Sequence, residues 1–260
     1  MEQSAKKSLG QHWLNDEKAL RAIADAAELI RGELVLEIGP GHGVLTDELI
    51  ERGVRVQALE FDAELARELA GRYSGRPDVS IQEGDIRRFN FSAMGGDYKI
   101  VANIPYYLTS HLIRQLTELA EKPQRVVLLI QKEVAERVVA VDGKMSLLSC
   151  IAQLHFDASL GIVVPAASFT PPPKVDSQVL ILQARKKPLY AVDERVLVRL
   201  MKAGFSGKRK TLRNALHGGL RIEKPAIETL LDSASIDPDA RAERLTLEDW
   251  YRLYKAYLTR

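Results

Sequence analysis

Asn103-Ile104-Pro105-Tyr106 is a run whose residue types suit a flat amine. The Asn103 side-chain carbonyl and the Ile104 backbone carbonyl are two hydrogen-bond acceptors, and the fixed φ of Pro105 turns both the same way. Tyr106 adds a ring on which an extruded base can stack, an interaction worth ~1–3 kcal/mol per base. The exocyclic amine of adenine is a poor nucleophile because its lone pair is delocalised into the ring. A catalyst must hold that nitrogen in line with an electrophile and stabilise the charge it acquires. The tetrad holds no His, Asp or Lys, which fits a reaction whose alkylated nitrogen becomes acidic enough to need no strong base.

The electrophile is suggested upstream. VLEIGPGHGVLT (35–46) reads as a strand, a glycine-rich turn and a helix start. Gly39, Gly41 and Gly43 let the backbone approach a ligand at the carboxyl end of the first sheet strand. The order G-P-G-x-G departs from the G-x-G-x-x-G that seats a pyrophosphate, and no basic residue waits for one. Glu37, inside the preceding strand, suits a ligand carrying an ammonium group. Glu60 closes the next strand, where a carboxylate can accept both ribose hydroxyls. Asp85 in EGDI follows the third strand and can take the amine of an adenine. A loop and two acids at successive strand ends describe a pocket for S-adenosylmethionine.

The elements that must position these residues follow from periodicity. LVLEI (34–38), VRVQALE (54–60), VSIQ (79–82), KIVANI (99–104) and RVVLLI (125–130) predict strands. Segments 44–53, 62–73 and 110–121 have helical spacing, and the alternation predicts an α/β fold with a parallel sheet covered by helices. An earlier helix over 16–31, capped by Asn15, is expected to turn Leu20, Ile23, Ala24, Ala27 and Ile30 toward the sheet. FDASLGIVVP (156–165) and SQVLILQA (177–184), joined through TPPPKVD, predict an antiparallel pair at a sheet edge. From residue 193 every segment is helical in pattern. The expected division is a nucleotide-binding domain over 1–187 and a small helical domain over 188–260.

Composition bounds the rest. At 46% hydrophobic and 28% charged over 260 residues, the chain has the make-up of a soluble globular protein. Its single cysteine, Cys150 in LLSCIA, cannot close an internal disulfide and reads as a buried thiol in a reducing compartment. The polar, basic N-terminus has no apolar core of signal-peptide length, and no stretch approaches a membrane span, so cytoplasmic residence is expected. Residues 195–222 hold eight Lys or Arg and no Asp or Glu, which suggests an anionic partner. Within them Lys208, Arg209, Lys210 and Arg213 are expected to share one helix face and grip phosphates, with Phe205, Leu212 and Leu216 turned to the core. His12, His42 and His217 lie in distant segments without ligand spacing, so no metal is expected.

Taken in order, KKSLGQHWLND (6–16), EIGPGHGVLT, NIPYY, SFTPPPKVDS (168–177) and FSGKRKTLRNAL (205–216) resemble the motifs of the ribosomal RNA adenine dimethyltransferases over nearly the whole chain. The resemblance implies a Rossmann-like, S-adenosylmethionine-dependent methyltransferase with a mostly parallel seven-stranded sheet and a small α-helical C-terminal domain. It implies a monomer that transfers two methyl groups to each of two adjacent adenosines near the 3′ end of small-subunit rRNA, acting on the small ribosomal subunit or its precursor. It assigns donor contacts to His12, Leu14, Gly39, Glu60, Asp85 and Asn103, and target-base contacts to Tyr106 and Phe169; Gly41 in the loop and Ile86 after Asp85 are expected beside the donor as well. His12 stands where the family often has Asn, and Trp13 where it often has Phe. Residues 141–149, VDGKMSLLS, replace the usual Tyr-Gly before a Leu-Ser helix.

Two other readings share parts of this pattern. A methyltransferase acting on a large-subunit rRNA adenine has the same donor loop and acceptor motif, while the KRKTLRNAL segment and the PPPK turn favour the small-subunit enzyme. A non-catalytic ribosome-assembly factor would keep the fold, but intact Glu60, Asp85, Asn103 and Tyr106 argue for chemistry.

Overall fold

Runs of Val, Ile and Leu too apolar to face water on either side become the central strands, and charged, alternating runs become the edges. In the computed structural model, which describes residues 10–141, 143–207 and 209–260, the chain begins with a two-residue strand β1 (Trp13–Leu14) and helix α1 (Glu17–Ala26). There follow β2 (Leu34–Ile38), α2 (Val44–Glu51), β3 (Arg55–Glu60), α3 (Ala63–Arg72), β4 (Val79–Glu83), β5 (Tyr98–Asn103), α4 (Thr109–Glu118) and β6 (Arg125–Gln131). Next come α5 (Lys132–Val138), α6 (Leu147–His155), β7 (Phe156–Val164), β8 (Phe169–Thr170) and β9 (Ser177–Ala184). Helices α7 (Glu194–Gly204), α8 (Leu212–Leu220), α9 (Lys224–Ser233) and α10 (Leu247–Leu258) complete the chain.

The seven-stranded sheet has the order β4-β3-β2-β5-β6-β9-β7. The first five strands are parallel, and β9 runs antiparallel to both β6 and β7. The chain winds outward from β2 through β3 to β4, then crosses to β5 on the other side. Open α/β sheets form a ligand crevice at such a switch point, beyond the carboxyl ends of the strands. Register makes this concrete: Ile38 pairs with Leu59 on one side and Ala102 on the other, and Glu60 pairs with Glu83. The glycine turn, Glu60, Asp85 and Asn103 therefore leave the sheet along one contiguous edge.

Helix α1 differs from expectation at both ends. Its N-cap is Asp16, whose carboxylate accepts the N–H groups of Lys18 and Ala19, while Asn15 donates its side-chain amide to Thr170 Oγ1 at 2.7 Å. It stops at Ala26, so Ile30 lies beyond it and is 66% exposed, whereas Leu20, Ile23, Ala24 and Ala27 are buried.

The chain divides into two compact units, the first comprising residues up to Glu136 with Phe156–Ala184, the second Arg137–His155 with Arg185–Arg260. This corrects the single boundary expected at 187/188. Met145, Cys150 and Leu154 are buried in one cluster with Leu197, Leu212, Leu231 and Trp250, so burial of α6 carries its segment into the helical unit. Cys150 is buried, and burial pushes its thiol up to about 12, as suits a structural rather than a reactive group.

The basic segment is also corrected. Residues 205–207 and 209–211 form turns and bends rather than a helix; α8 starts only after Thr211, an extended N-cap whose hydroxyl accepts the N–H of Asn214. Arg209 and Lys210 thus sit in the turn, Arg213 is helical, and Lys208 lies outside the described residues. Leu212 and Leu216 are buried, as expected, and Phe205 packs against the same cluster. No described helix is long and apolar enough to cross a membrane.

Trp250 is fully buried, tilted against Phe205 and pressed on Gly204, where a Cβ would fall 2.4 Å from its ring. Trp250→Ala is expected to destabilise the helical unit by about 3–5 kcal/mol, read as a lowered denaturant midpoint for helix loss. An unchanged midpoint would show that this indole does not anchor the cluster.

Candidate active site

At the carboxyl edge of β2–β5 lies a cleft lined by Gly39, Gly41, Glu60, Asp85, Ile86, Asn103, Ile104, Pro105 and Tyr106. His12, Leu14 and Phe169 line it as well. The donor and acceptor residues nominated from sequence reach this one cleft except Glu37 and Gly43, the latter packed against Leu69 and Tyr73.

The glycine turn is held by backbone bonds to its neighbour strand: Gly39 N–H donates to Leu59 O at 2.9 Å. Gly41 has a φ of +59°, and a Cβ there would fall 2.6 Å from the ring of Trp13. Only glycine lets the loop pass under that indole, which also packs against His42 at 4.5 Å between ring centroids. Glu60, 6% exposed, accepts the Gly41 N–H at 3.1 Å and the Asp62 N–H at 2.8 Å. Burial raises its pKa, and these backbone donors oppose the shift. A carboxylate offers about four lone-pair positions, so a carboxylate so held retains capacity for a diol in the cleft. Asp85 takes a bidentate bond from Arg87, closest approach 2.6 Å, which holds its carboxyl below the usual range and fixes its orientation.

Glu37 departs from the expected role. The two-residue alternation of β2 turns Ile38 to the cleft and Glu37 to the other face, beneath α2. There it is 1% exposed; Thr46 Oγ1 donates to its Oε2 at 2.6 Å, while Oε1 has no partner among the described residues. Burial pushes its pKa up to about 8, with Glu60 and Asp47 adding to the rise and the Thr46 bond opposing it. The acid braces the first turn of α2 from behind the loop.

Asn103 ends β5, and its main-chain carbonyl oxygen lies 3.7 Å from where a Cβ on Gly39 would be, so tetrad and glycine turn are immediate neighbours. After Pro105 the chain forms a single 3₁₀ turn, Tyr106–Leu108, and enters α4. The Tyr106 hydroxyl bonds Ser177 Oγ at the start of β9 at 2.8 Å, and the buried Ser177 tethers the ring. Phe169 reaches the cleft through a two-stranded antiparallel ribbon in which Leu14 pairs with Phe169 and Trp13 with Thr170. His12 Nδ1 donates to the Pro171 carbonyl at 2.6 Å, and its ring lies 6.1 Å from that of Tyr106 at 22°.

Sequence reasoning missed this ribbon, Ser177, Arg87 and the cleft-lining Phe61, which is 53% exposed directly after Glu60. An exposed aromatic following a strand-end acid is a signal that could have found Phe61. Two-residue strands and a serine 71 positions from its tyrosine leave none. Among the described residues no group of three potential ligands could hold a metal.

Because the neutral form of Glu37 is favoured in the fold, its contribution to stability is present below pH 4.5 and is lost as pH rises through about 8. Glu37→Gln keeps an acceptor for Thr46 and removes the titration. Its stability is expected to decline less than that of the parent across this window, measured by denaturant unfolding at several pH values. Parallel declines would assign the dependence to other groups.

The pattern of the ribosomal RNA adenine dimethylase family matches residues 2–258. A ribosomal RNA small subunit methyltransferase A from Dehalococcoides mccartyi is 42% identical, over 97% of this chain and 88% of its own length. One of the same name from Geobacter sulfurreducens is 39% identical over 98% and 95%. Among solved structures, a dimethyladenosine transferase from Plasmodium falciparum superposes with a TM-score of 0.83 at 27% identity, covering 95% of this chain and 98% of that one. The 23S rRNA methyltransferase ErmE gives 0.76 at 29%, covering 94% and 98%. With the glycine turn and the NIPY tetrad side by side on such a fold, the chain belongs to the ribosomal RNA adenine dimethylases.

Proposed function

We propose that this protein transfers methyl groups from S-adenosylmethionine to the N6 amines of adenosines in small-subunit rRNA, two on each of two adjacent targets, during subunit maturation in the cytoplasm. The observation that carries the reading is the adjacency of Asn103 to the glycine turn at the β2/β5 switch point. Donor and acceptor machinery share one cleft there.

In this reading Glu60 accepts the ribose hydroxyls, Asp85 accepts the adenine amine of the donor, and Ile86 with Phe61 offers apolar surface to its base. Gly39, Gly41, His12 and Leu14 shape the passage for the amino-acid portion, and Glu37 supports it indirectly through α2. The donor supplies an electrophilic sulfonium methyl. The Asn103 side-chain carbonyl and the Ile104 backbone carbonyl draw the two hydrogens of the target amine, which localises its lone pair and aims it along the transfer axis. Tyr106, tethered by Ser177, and Phe169 hold the extruded base by its faces. The methylated nitrogen is acidic enough to lose its proton to solvent. Arg209 and Lys210 hold RNA phosphates without reading sequence. The protein acts as a monomer.

The small-subunit target is favoured over the large by the names of the relatives at 39–42% identity, against 29% for the 23S enzyme. Incubation with labelled donor and immature small subunits is expected to yield dimethyladenosine in small-subunit rRNA by nucleoside mass spectrometry. Asn103→Ala is expected to lower turnover by ~100-fold with unchanged subunit binding. Label appearing only in large-subunit rRNA would establish the other methyltransferase reading. Subunit binding without any transfer would establish an assembly factor.

A further inference from the structure

Arg213, expected to meet phosphates, is already neutralised: its guanidinium pairs with Glu228 at 2.7 Å and Asp239 at 3.0 Å, tying α8 to α9 and the following loop. Other positive charge of the helical unit is uncommitted. Arg195, Arg199 and Lys202 stand at i, i+4 and i+7 on α7 and so share one face, over a rise of about 10 Å. All three are exposed, and none has an ion-pair partner among the described residues. The opposite face of α7, with Leu197, Leu200 and Met201, is fully buried, so packing fixes which way the stripe points.

The stripe borders a surface groove between α7 and α8. Its far wall is Gly219, where a Cβ would fall 2.6 Å from that of Ala203, so the two helices are in close approach and no side chain can fill the space. Gly218 beside it is exposed with nothing within 4 Å of an added Cβ. The lone acid of the groove is Glu194 at the start of α7, which faces His155 Nε2 at 3.5 Å. Three outward cations along a shallow, open channel suit an extended polyanion better than a folded acidic protein, which needs apolar contact as well.

We infer that the α7/α8 groove binds a phosphodiester strand of the rRNA substrate through Arg195, Arg199 and Lys202. This rests on the proposed rRNA activity and names a surface for it distinct from Arg209 and Lys210. Each phosphate contact adds about 0.7–0.9 to the slope of log affinity against log salt. The contacts position RNA and leave the donor cleft untouched.

The test uses the full chain and a triple R195A/R199A/K202A variant, whose substitutions are exposed and helix-compatible. Binding to protein-free small-subunit rRNA is measured across a salt series, with donor binding as the folding control. The expected result is a salt slope smaller by about 2–3, at least a tenfold loss of affinity at low salt, a raised KM for RNA and a kcat held at saturating RNA. Wild-type slope and affinity in the variant, with the parent active, would overturn the groove alone. A defect seen only on protein-containing subunits would also overturn it, placing a ribosomal protein in the groove. A parent that neither binds nor methylates rRNA would overturn the proposed activity and the groove with it.

Discussion

Parallel pairing of β3 and β5 on either side of β2 is the constraint from which the cleft follows. In a parallel ladder every strand must leave the sheet at the same end, and the chain can reverse its winding direction only by crossing from β4 to β5. The crossing leaves a crevice with no crossover helix above it. Hydrogen bonds from Gly39 to Leu59 and from Gly84 to Glu60 then fix the heights at which the loops depart. A slip of one residue in β3 would send Glu60 to the opposite face and remove the acid from the cleft.

The roof of the cleft is assembled from pieces too small to be stable alone. The ribbon of Trp13–Leu14 with Phe169–Thr170 is two residues deep, far short of an independent hairpin. It holds because Leu14 and Phe169 are buried in the core of the first unit and because Asn15, His12 and Asp16 add side-chain bonds to Thr170, Pro171 and Ser168. The indole of Trp13 closes on Gly41 and the Tyr106 hydroxyl on Ser177. Residues proposed to touch the donor and residues proposed to hold the target base are thereby joined in one hydrogen-bonded frame.

Charge is distributed by a similar economy. Buried acids sit near the glycine loop, where the backbone N–H groups of Gly41 and Asp62 reach Glu60 and the Thr46 hydroxyl reaches Glu37. Arginines divide into those that tie elements together, as the half-buried Arg213 does with Glu228 and Asp239, and those whose guanidinium has no ion-pair partner among the described residues, as on the outer face of α7. Only the second class offers charge to an outside anion at little cost, because a paired arginine must first break its own bonds.

Periodicity alone placed the seven strands of the main sheet and helices α1–α4, because an apolar run of strand length or a 3.6-residue stripe expresses its burial locally. The same holds for the glycine turn, Glu60, Asp85 and the NIPY tetrad, whose chemistry is contained in short contiguous motifs at strand ends. Other features depended on contacts between distant segments. Glu37 lies in the right motif, yet the pleat of β2 turns it under α2. Residues 205–211 carry helical composition, yet Thr211 caps α8 and leaves Arg209 and Lys210 in a turn. Segment 137–155 joins the helical unit because α6 buries Cys150 and Leu154 there. A local window cannot see which face a neighbouring element will cover or which carboxylate will meet an arginine. Those choices are made when the chain packs, since burial and ion pairing depend on distance in space rather than along the sequence.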